Sequence, residues 1–272
     1  MSIATTTATP ELKAQLKTTW MAGEYDHFSR FMEQDARVFY EQLDIPAGSQ
    51  FLDVACGSGQ LALWAARDGV NVTGVDIAPN LVERAQSRAD AEGLKARFLE
   101  GDAEDLPFED ASFDVVTSVI GAMFAPRPDL VARELLRVCS PGGTIAMANW
   151  TAEGFVGQMF KTFAKFIAPS GMPSPLLWGN ERVVRERLGY GVSNLQITRR
   201  TWKLSYPFPP AGVVEFFRQY YGPTNRAFMA LSEENAGTLR LELEELWSKH
   251  NRARKDLTFV EAEYLQVIGV RA

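Results

Sequence analysis

The stretch that decides the fold is FLDVACGSGQ, residues 51–60. Its apolar beginning is typical of a buried parallel strand, and Gly57 and Gly59 then allow a tight turn into a helix. The two glycines and Ala62 also match the dinucleotide-binding pattern G-x-G-x-x-G/A. Asp76 follows about twenty residues later, at the end of the next predicted strand. The stretch therefore predicts a nucleotide-binding turn, although the spacing alone leaves the ligand open.

Asp53 favours one class of ligand, because it lies inside the first strand, shortly before the turn. A nicotinamide or flavin dinucleotide would bring its anionic pyrophosphate close to this carboxylate, and the two would repel each other. S-adenosylmethionine has no phosphate and carries a sulfonium and an ammonium group, so the same carboxylate would attract it. Asp53 therefore favours S-adenosylmethionine as the cofactor, with S-adenosylhomocysteine as the product.

Four blocks in the chain, in this order, support that interpretation: FLDVACGSGQLAL, GVDIAPNLVERA, LEGDAEDLPFEDASFDVVTS and LLRVCSPGGTIAMANW. Together they resemble the class I S-adenosylmethionine-dependent methyltransferases, particularly the small-molecule enzymes related to those of ubiquinone and menaquinone biosynthesis. The resemblance covers about residues 50–150, and four ordered blocks are far more specific than one glycine turn. The C-terminal part has no motif of that specificity.

Strand and helix patterns alternate through these blocks, which predicts an α/β fold with a doubly wound, mostly parallel sheet. The candidate strands are 50–55, 71–76, 96–100, 113–119 and 143–148. The resemblance implies seven strands in all, a Rossmann-like methyltransferase sheet with an antiparallel edge, and a helical cap. Because parallel strands end at one edge of such a sheet, we expect the ligand there.

The chain divides into three predicted segments. Residues 1–35 would form a helical lid, after a loose tail of about ten residues, and 36–150 would form the S-adenosylmethionine-binding core. Residues 151–272 would complete the sheet and carry the cap as an insertion at about 207–255. In this last part we expect helices at 154–167 and 181–188, and strands around Trp202 to Tyr206 and at 261–270. These two strands would form the antiparallel edge.

Composition narrows the possible partners. The formal net charge is −6 and no dense stripe of Lys and Arg appears, so we expect no nucleic-acid partner. Cys56 and Cys139 are the two cysteines, too few for a disulfide scaffold or a closed zinc site, so no metal is expected. The start of the chain has no apolar signal region and no apolar run is long enough to cross a membrane, which predicts a cytoplasmic protein without membrane insertion. The oligomeric state stays open.

Three acids are the main candidates for cofactor binding. Asp76 can accept both ribose hydroxyls, although it could also be an ordinary strand-end acid or helix cap. The resemblance implies that Asp102 accepts the adenine amino group and that Ala103 donates its N–H to the ring, although this segment otherwise reads as a polar turn. Asp53 could bind the ammonium group or be held by backbone donors, and one carboxylate can do both through a water. The complete predicted set is Trp20, Tyr25, Asp53, Ala55, Gly57, Gly59, Asp76, Ile77, Asp102, Ala103, Ser118 and Val119.

The N-terminal segment supplies the aromatic members of that set. Trp20 and Tyr25 could approach the sulfonium, which the face of an aromatic ring stabilises, or they could belong to the core-facing stripe of a helix. In related methyltransferases a segment in this position closes over the cofactor. His27 is the one candidate for a general base, but a lone histidine is more often a surface or packing residue.

The acceptor of the methyl group is expected to be a small aromatic or hydrophobic molecule, because bulky apolar side chains are frequent beyond residue 120. The candidates for its pocket are Met123, Phe124, Trp150, Trp178 and Tyr220. Methyl transfer is an in-line displacement that mainly requires alignment and exclusion of water, so no covalent nucleophile is needed. Two alternatives stay open at this point: a nicotinamide-dependent oxidoreductase, and a non-catalytic module that binds S-adenosylmethionine.

Overall fold

A computed structural model describes residues 10–168, 171–254 and 256–272 of the chain. Most of the predicted N-terminal tail and Lys255, at the end of the predicted cap, lie outside the described residues. The described chain forms one seven-stranded sheet with helices on both faces.

The sheet confirms the predicted fold. Its strands are β1 (Gln50–Val54), β2 (Asn71–Asp76), β3 (Ala96–Glu100), β4 (Phe113–Val119), β5 (Cys139–Trp150), β6 (Val192–Tyr206) and β7 (Thr258–Arg271). They lie in the order β3-β2-β1-β4-β5-β7-β6. The first five strands are parallel to one another, whereas β7 runs antiparallel to both β5 and β6. The sheet is therefore mostly parallel with an antiparallel edge.

The described residues also form eleven α-helices, several of which bury an apolar stripe. They are α1 (Pro10–Met21), α2 (Tyr25–Ser29), α3 (Glu33–Glu41), α4 (Ala62–Arg67), α5 (Pro79–Ala91), α6 (Pro128–Val138), α7 (Phe155–Phe163), α8 (Glu181–Leu188), α9 (Pro210–Tyr220), α10 (Gly222–Met229) and α11 (Glu233–His250). In α5, for example, Leu81, Ala85 and Ala89 are buried at a spacing of four residues. The α8 helix begins at a cap in which Asn180 accepts a hydrogen bond from the N–H of Val183.

Several boundaries differ from the sequence prediction, including both ends of β7, which was expected over 261–270 and spans Thr258–Arg271. The helix expected over 154–167 ends at Phe163. Strand β5 begins at Cys139, earlier than expected, and its register against β4 shifts next to Gly142, which has a φ of +78°. Strand β6 begins at Val192, well before the predicted strand around Trp202 to Tyr206. Its first half was not predicted, because it is mostly exposed and lacks the apolar alternation that marks a half-buried strand.

The order of the strands determines where a ligand can bind. β1 lies between β2 and β4, so the chain direction across the sheet reverses at this strand. Ligands of open α/β sheets bind at such a reversal, outside the carboxyl ends of the strands. The glycine turn begins here, because Ala55 at the end of β1 already has a φ of +57°.

The insertion between β6 and β7 is helical and contacts the N-terminal helices. Its helices are α9, α10 and α11, of which α9 contacts α2 and α10 contacts α1. The ring of Phe28 in α2 lies 4.9 Å from that of Phe217 and 4.6 Å from that of Tyr221. Aromatic packing of this kind adds to the area that is buried. The insertion and the N-terminal helices therefore share one apolar layer.

None of the helices in the described parts of the chain is both long and apolar enough to span a membrane.

A 3-10 turn, Pro175–Gly179, anchors the start of α8 against the end of β5. A Cβ atom added at Gly179 would lie 2.0 Å from the carbonyl oxygen of Trp150 and 2.7 Å from Cα of Thr151. Since both of these are backbone atoms, no side-chain movement can relieve the overlap.

We expect Gly179→Ala to lower the free energy of unfolding by about 1–3 kcal/mol or more, the usual effect of overpacking. Gly237→Ala is the matched control, because a Cβ there meets nothing within 4 Å inside α11. That change should stabilise the protein by about 0.5–1 kcal/mol. Urea unfolding followed by circular dichroism measures both, and equal midpoints for Gly179→Ala and the unmodified protein would contradict the packing argument.

Candidate functional site

A cavity of about 710 Å³, counting its open mouth, lies at the carboxyl ends of the parallel strands. Ala55, Asp76, Asp102 and Ile120 line it from the ends of four consecutive strand segments. Helix α1 covers the opposite side with Lys13, Leu16 and Trp20. The cavity thus lies at the position predicted from the strand order.

The carboxylate of Asp76 is held at the end of β2. Its Oδ2 accepts a hydrogen bond from the N–H of Gly57 at 2.8 Å, and its Oδ1 accepts one from the N–H of Ala78 at 2.9 Å. Burial raises the pKa of the Asp76 carboxyl, although the N–H groups of Ala78 and Gly57 act in the opposite direction. Each oxygen keeps further capacity to accept, so the group can still bind hydroxyl donors from the cavity.

The glycine turn borders this cavity next to the ring of Tyr25. Gly57 has a φ of +55°, and a Cβ there would lie 3.1 Å from Cε1 of Tyr25. Gly59 has a φ of +85° and does not line this cavity, since it packs towards Ala85 and Phe98 of the neighbouring elements. Gly57 therefore shapes the cavity directly and Gly59 shapes the turn.

Asp102 lines the first cavity together with Ala103 and is already engaged. Its Oδ1 accepts from the N–H of Glu104 at 2.9 Å, and its Oδ2 pairs with the ammonium group of Lys13. Lys13 also lies 2.8 Å from the carboxylate of Glu104. Helix α1 is thereby tied to the loop after β3, the loop in which the adenine contacts are expected.

The N-terminal segment brings two aromatic rings to the site. Trp20 and Tyr25 both line the first cavity, with their ring centroids 6.0 Å apart, and Trp20 lies 5.0 Å from the ring of Phe124. Asp26, next to Tyr25, pairs with Arg84 of α5 at 2.8 Å. This pair holds the segment against the core of the fold.

A second cavity adjoins the first, since Tyr25, Ala55 and Ile120 line both. Asp53 lies in it, is 2% exposed, and accepts a hydrogen bond from the Thr117 hydroxyl at 3.2 Å. Burial raises the pKa of the Asp53 carboxyl to about 7, and the negative charge of Asp76 adds to the effect. A cationic group in this cavity would favour the ionised carboxylate.

Three residues of the predicted set remain. Ile77 follows β2 and lines the first cavity, and Ser118 and Val119 lie at the end of β4. Val119 lines the second cavity. Ser118 is buried and lines neither, because its hydroxyl donates to the carbonyl of Val54 at 2.8 Å and accepts from the N–H of Ala122 at 2.9 Å. Ser118 therefore positions the loop that carries Ile120, which borders both cavities.

The five side chains expected around the acceptor do not come together. Phe124 lines the first cavity, whereas Met123 and Trp150 are buried in the core. Trp178 is 1% exposed and its ring lies 4.6 Å from the guanidinium of Arg187, so it is a packing residue rather than part of either cavity lining.

Tyr220 and His27 lie at the contact between the N-terminal helices and α9. Their ring centroids are 4.6 Å apart, and neither residue lines a cavity. His27 is exposed. The structure thus gives His27 a packing contact and brings it to no group that could lose a proton in the cavities.

Several lining residues escaped the sequence analysis, above all Lys13, Gln60, Gly121 and Trp202. Lys13 and Trp202 come from the first helix and the edge strand of the fold, so no local motif marks them. The choice of glycine at position 121 is explained by close packing, because a Cβ there would lie 2.6 Å from the carbonyl oxygen of Ala55. Such a close approach is a common reason for a glycine in a loop.

The histidines, cysteines and acidic residues in the described ranges form no cluster of three or more that could hold a metal ion. Both cysteines are free and buried, and burial raises the pKa of the Cys56 thiol well above its ordinary range. A thiol in that state is a poor nucleophile.

Comparison with known proteins agrees with this geometry. Residues 52–147 match the family described as "Methyltransferase domain". An uncharacterised protein of Mycobacterium tuberculosis is 37% identical over 225 residues, which are 82% of each chain. The 2-methyl-6-phytyl-1,4-hydroquinone methyltransferase of Synechocystis is 43% identical over 107 residues, which are 39% of this chain and 33% of that one.

Solved structures show the same fold. A putative methyltransferase of Bacillus halodurans superimposes with a TM-score of 0.60 at 18% sequence identity, over 87% of this chain and 98% of the other. The family match spans the strands β1 to β5, whose ends line the cavity. On these grounds the chain belongs to the class I S-adenosylmethionine-dependent methyltransferases, and it is an enzyme of that family.

Proposed function

We propose that the protein transfers the methyl group of S-adenosylmethionine to a small aromatic or hydrophobic molecule. The observation that carries the proposal is the charge of the two joined cavities. Asp53 and Asp76 place two buried carboxylates beside the glycine turn. Lys13 is the one basic side chain among the described lining residues, and it is paired with Asp102 and Glu104. A site of this charge suits a cationic ligand and repels a pyrophosphate.

The residues present fit the cofactor part by part. Asp76 has acceptor capacity for the ribose hydroxyls, and Asp102 and Ala103 would face the adenine ring. The absence of a Cβ at Gly57 leaves room beside Tyr25 for the chain that links ribose to methionine. Asp53, in the adjoining cavity, would meet the ammonium group of the methionine end.

The chemistry needs little from the protein beyond alignment. S-adenosylmethionine, when bound, supplies a methyl group that is activated by the positively charged sulfur. The rings of Trp20 and Tyr25 would stabilise that charge and help to exclude water. The glycine turn, whose Gly57 N–H donates to Asp76, would keep the binding groups in place. The described cavity linings contain no histidine, so we assign no general base.

The acceptor class follows from the apolar side of the first cavity. Trp20 and Phe124 face each other there at 5.0 Å between ring centroids, and Leu16, Ala125 and Pro126 complete this side. Pockets of this composition favour flat, apolar molecules with few polar groups. The partial similarity to a hydroquinone methyltransferase supports the same class.

The test of the proposal is isothermal titration calorimetry followed by an acceptor screen. S-adenosylhomocysteine should bind to one site per chain, and NAD should give no saturable heat, because its pyrophosphate would meet Asp53 and Asp76. Methyl-labelled S-adenosylmethionine should then label hydroquinones or phenols only in the presence of the protein. Saturable NAD binding that competes with S-adenosylhomocysteine would overturn the proposal.

Asp76→Ala should weaken S-adenosylhomocysteine binding at least tenfold. Each hydrogen bond from a ribose hydroxyl to this carboxylate contributes about 1.5–3 kcal/mol, and the variant also releases the N–H of Gly57. Calorimetry measures the affinity, and circular dichroism establishes that the variant is folded. Asp90→Ala, which removes an exposed acid from α5, is the control and should bind normally. Equal affinities of the two folded variants would refute the ribose assignment.

The affinity for S-adenosylhomocysteine should rise as the pH increases through about 7. The raised pKa of Asp53 keeps its carboxyl protonated below that value in the free protein, and an ammonium group binds the ionised form better. Binding should therefore release a proton near pH 7, which calorimetry in buffers of different ionisation enthalpy detects. Asp53→Asn should abolish this release, and a buffer-independent enthalpy in the unmodified protein would count against the assignment.

A further inference from the structure

The second cavity has an unusual set of polar groups for a site that would hold an amino acid. Its described lining includes one carboxylate, Asp53, and no Lys, Arg or His. A methionine end brings both an ammonium and a carboxylate. The ammonium has a partner in Asp53, but a buried carboxylate is costly unless hydrogen-bond donors compensate it. Those donors must be neutral groups.

Most of the neutral donors in this cavity are already engaged. The Ser29 hydroxyl donates to the carbonyl of Asp26 at 3.1 Å. The Gln60 amide donates to the hydroxyls of Ser29 and Ser58, the latter at 2.7 Å. The Cys56 thiol points to the carbonyl of Gly57 at 3.6 Å and is a weak donor in any case.

Trp202 is different, because its donor is buried and has no partner. Trp202 is one of the residues that line the second cavity, it is 1% exposed, and its buried Nε1 makes no hydrogen bond in the described structure. An unsatisfied buried N–H is destabilising and uncommon in native proteins. An acceptor atom in the cavity would restore the missing bond.

The strand and its neighbours fix this indole in place. Trp202 lies on β6 in register with Ala262 of β7. Its ring packs edge-on against Trp150, with the centroids 6.0 Å apart, and against Tyr264 at 5.6 Å. A donor held by packing loses little freedom when a ligand arrives, which increases its contribution to binding.

We propose that the Nε1–H of Trp202 donates a hydrogen bond to the carboxylate of the methionine end and so selects ligands that carry an intact amino acid. This inference rests on the proposed function, since it concerns the same cofactor. It assigns a specificity-determining role to the outermost strand of the sheet, three strands away from β4, where Val119 borders the cavity.

The experiment compares two ligands that share the adenosyl group. S-adenosylhomocysteine carries the amino acid, whereas 5′-methylthioadenosine does not. Calorimetry gives the ratio of their dissociation constants in the unmodified protein and in Trp202→Phe, which keeps an aromatic ring but lacks the N–H. We expect Trp202→Phe to weaken the binding of S-adenosylhomocysteine about tenfold or more, the usual effect of losing a hydrogen bond to a charged group. The affinity for 5′-methylthioadenosine should stay unchanged.

Trp178→Phe is the matched control. Trp178 is also 1% exposed and its Nε1 also lacks a partner, but it lines neither cavity. The same truncation there should leave the ratio of dissociation constants as it is. An unchanged ratio in folded Trp202→Phe, or an equal change in Trp178→Phe, would overturn the inference.

A measurement on the unmodified protein covers the case in which Trp202→Phe does not fold. With 15N-labelled tryptophan the six indole N–H groups give separate resonances. S-adenosylhomocysteine should move one indole resonance downfield, as expected for a new hydrogen bond to a carboxylate, and 5′-methylthioadenosine should not. The absence of such a shift at saturation would refute the inference. Failure of both ligands to bind would refute the proposed function instead.

Discussion

The site depends on the pair of hydrogen bonds that Asp76 accepts from the N–H groups of Gly57 and Ala78. These bonds join the turn after β1 to the turn after β2, so the ends of two neighbouring strands behave as one rigid unit. The same carboxylate is the predicted ribose acceptor. Since backbone groups orient it before any ligand arrives, little reorganisation is needed on binding. Structure and binding therefore share one side chain at this point of the fold.

A second constraint comes from the N-terminal helices, which cover the cavity instead of the sheet. Lys13 pairs with Asp102 and Glu104 after β3, and Asp26 pairs with Arg84 of α5. The carboxylate of Glu104 is fully buried and also pairs with Arg127 at 2.8 Å, so two cations compensate its charge. These contacts explain why Trp20 and Tyr25 lie at the cavity although they precede the core of the fold by many residues.

Sequence patterns predict the strands most accurately where local pattern and tertiary position agree. The bounds of β2, β3 and β4 match the prediction, since each is a short apolar strand between clear turn signals. The edge strand β6 was predicted only in its last part, because one face of an edge strand meets solvent and its apolar pattern is weak. The three candidate acids, Asp53, Asp76 and Asp102, each border one of the two cavities.

Residues that reach the site from distant parts of the chain could not be predicted in this way. Trp202 could be recognised as part of a strand, but its contact with a cavity beside β1 depends on the whole order of the sheet. Trp178 and Met123 were predicted as pocket candidates from their size, and the structure places both among the buried residues of the core. Bulk and aromaticity are properties that cores and pockets share, so only the three-dimensional arrangement separates the two.

The two buried acids link the binding of the cofactor to the stability of the fold. Burial raises the pKa of the Asp53 carboxyl, and the negative charge of Asp76 raises it further. In the free protein the burial of Asp53, together with the charge of Asp76, makes the folded state hold a proton more tightly than the unfolded chain does. Stability therefore falls as the pH increases from about 4, the ordinary value of an aspartic acid, to about 7. A cationic ligand relieves the repulsion and binds only the folded state, so it restores the stability lost on ionisation.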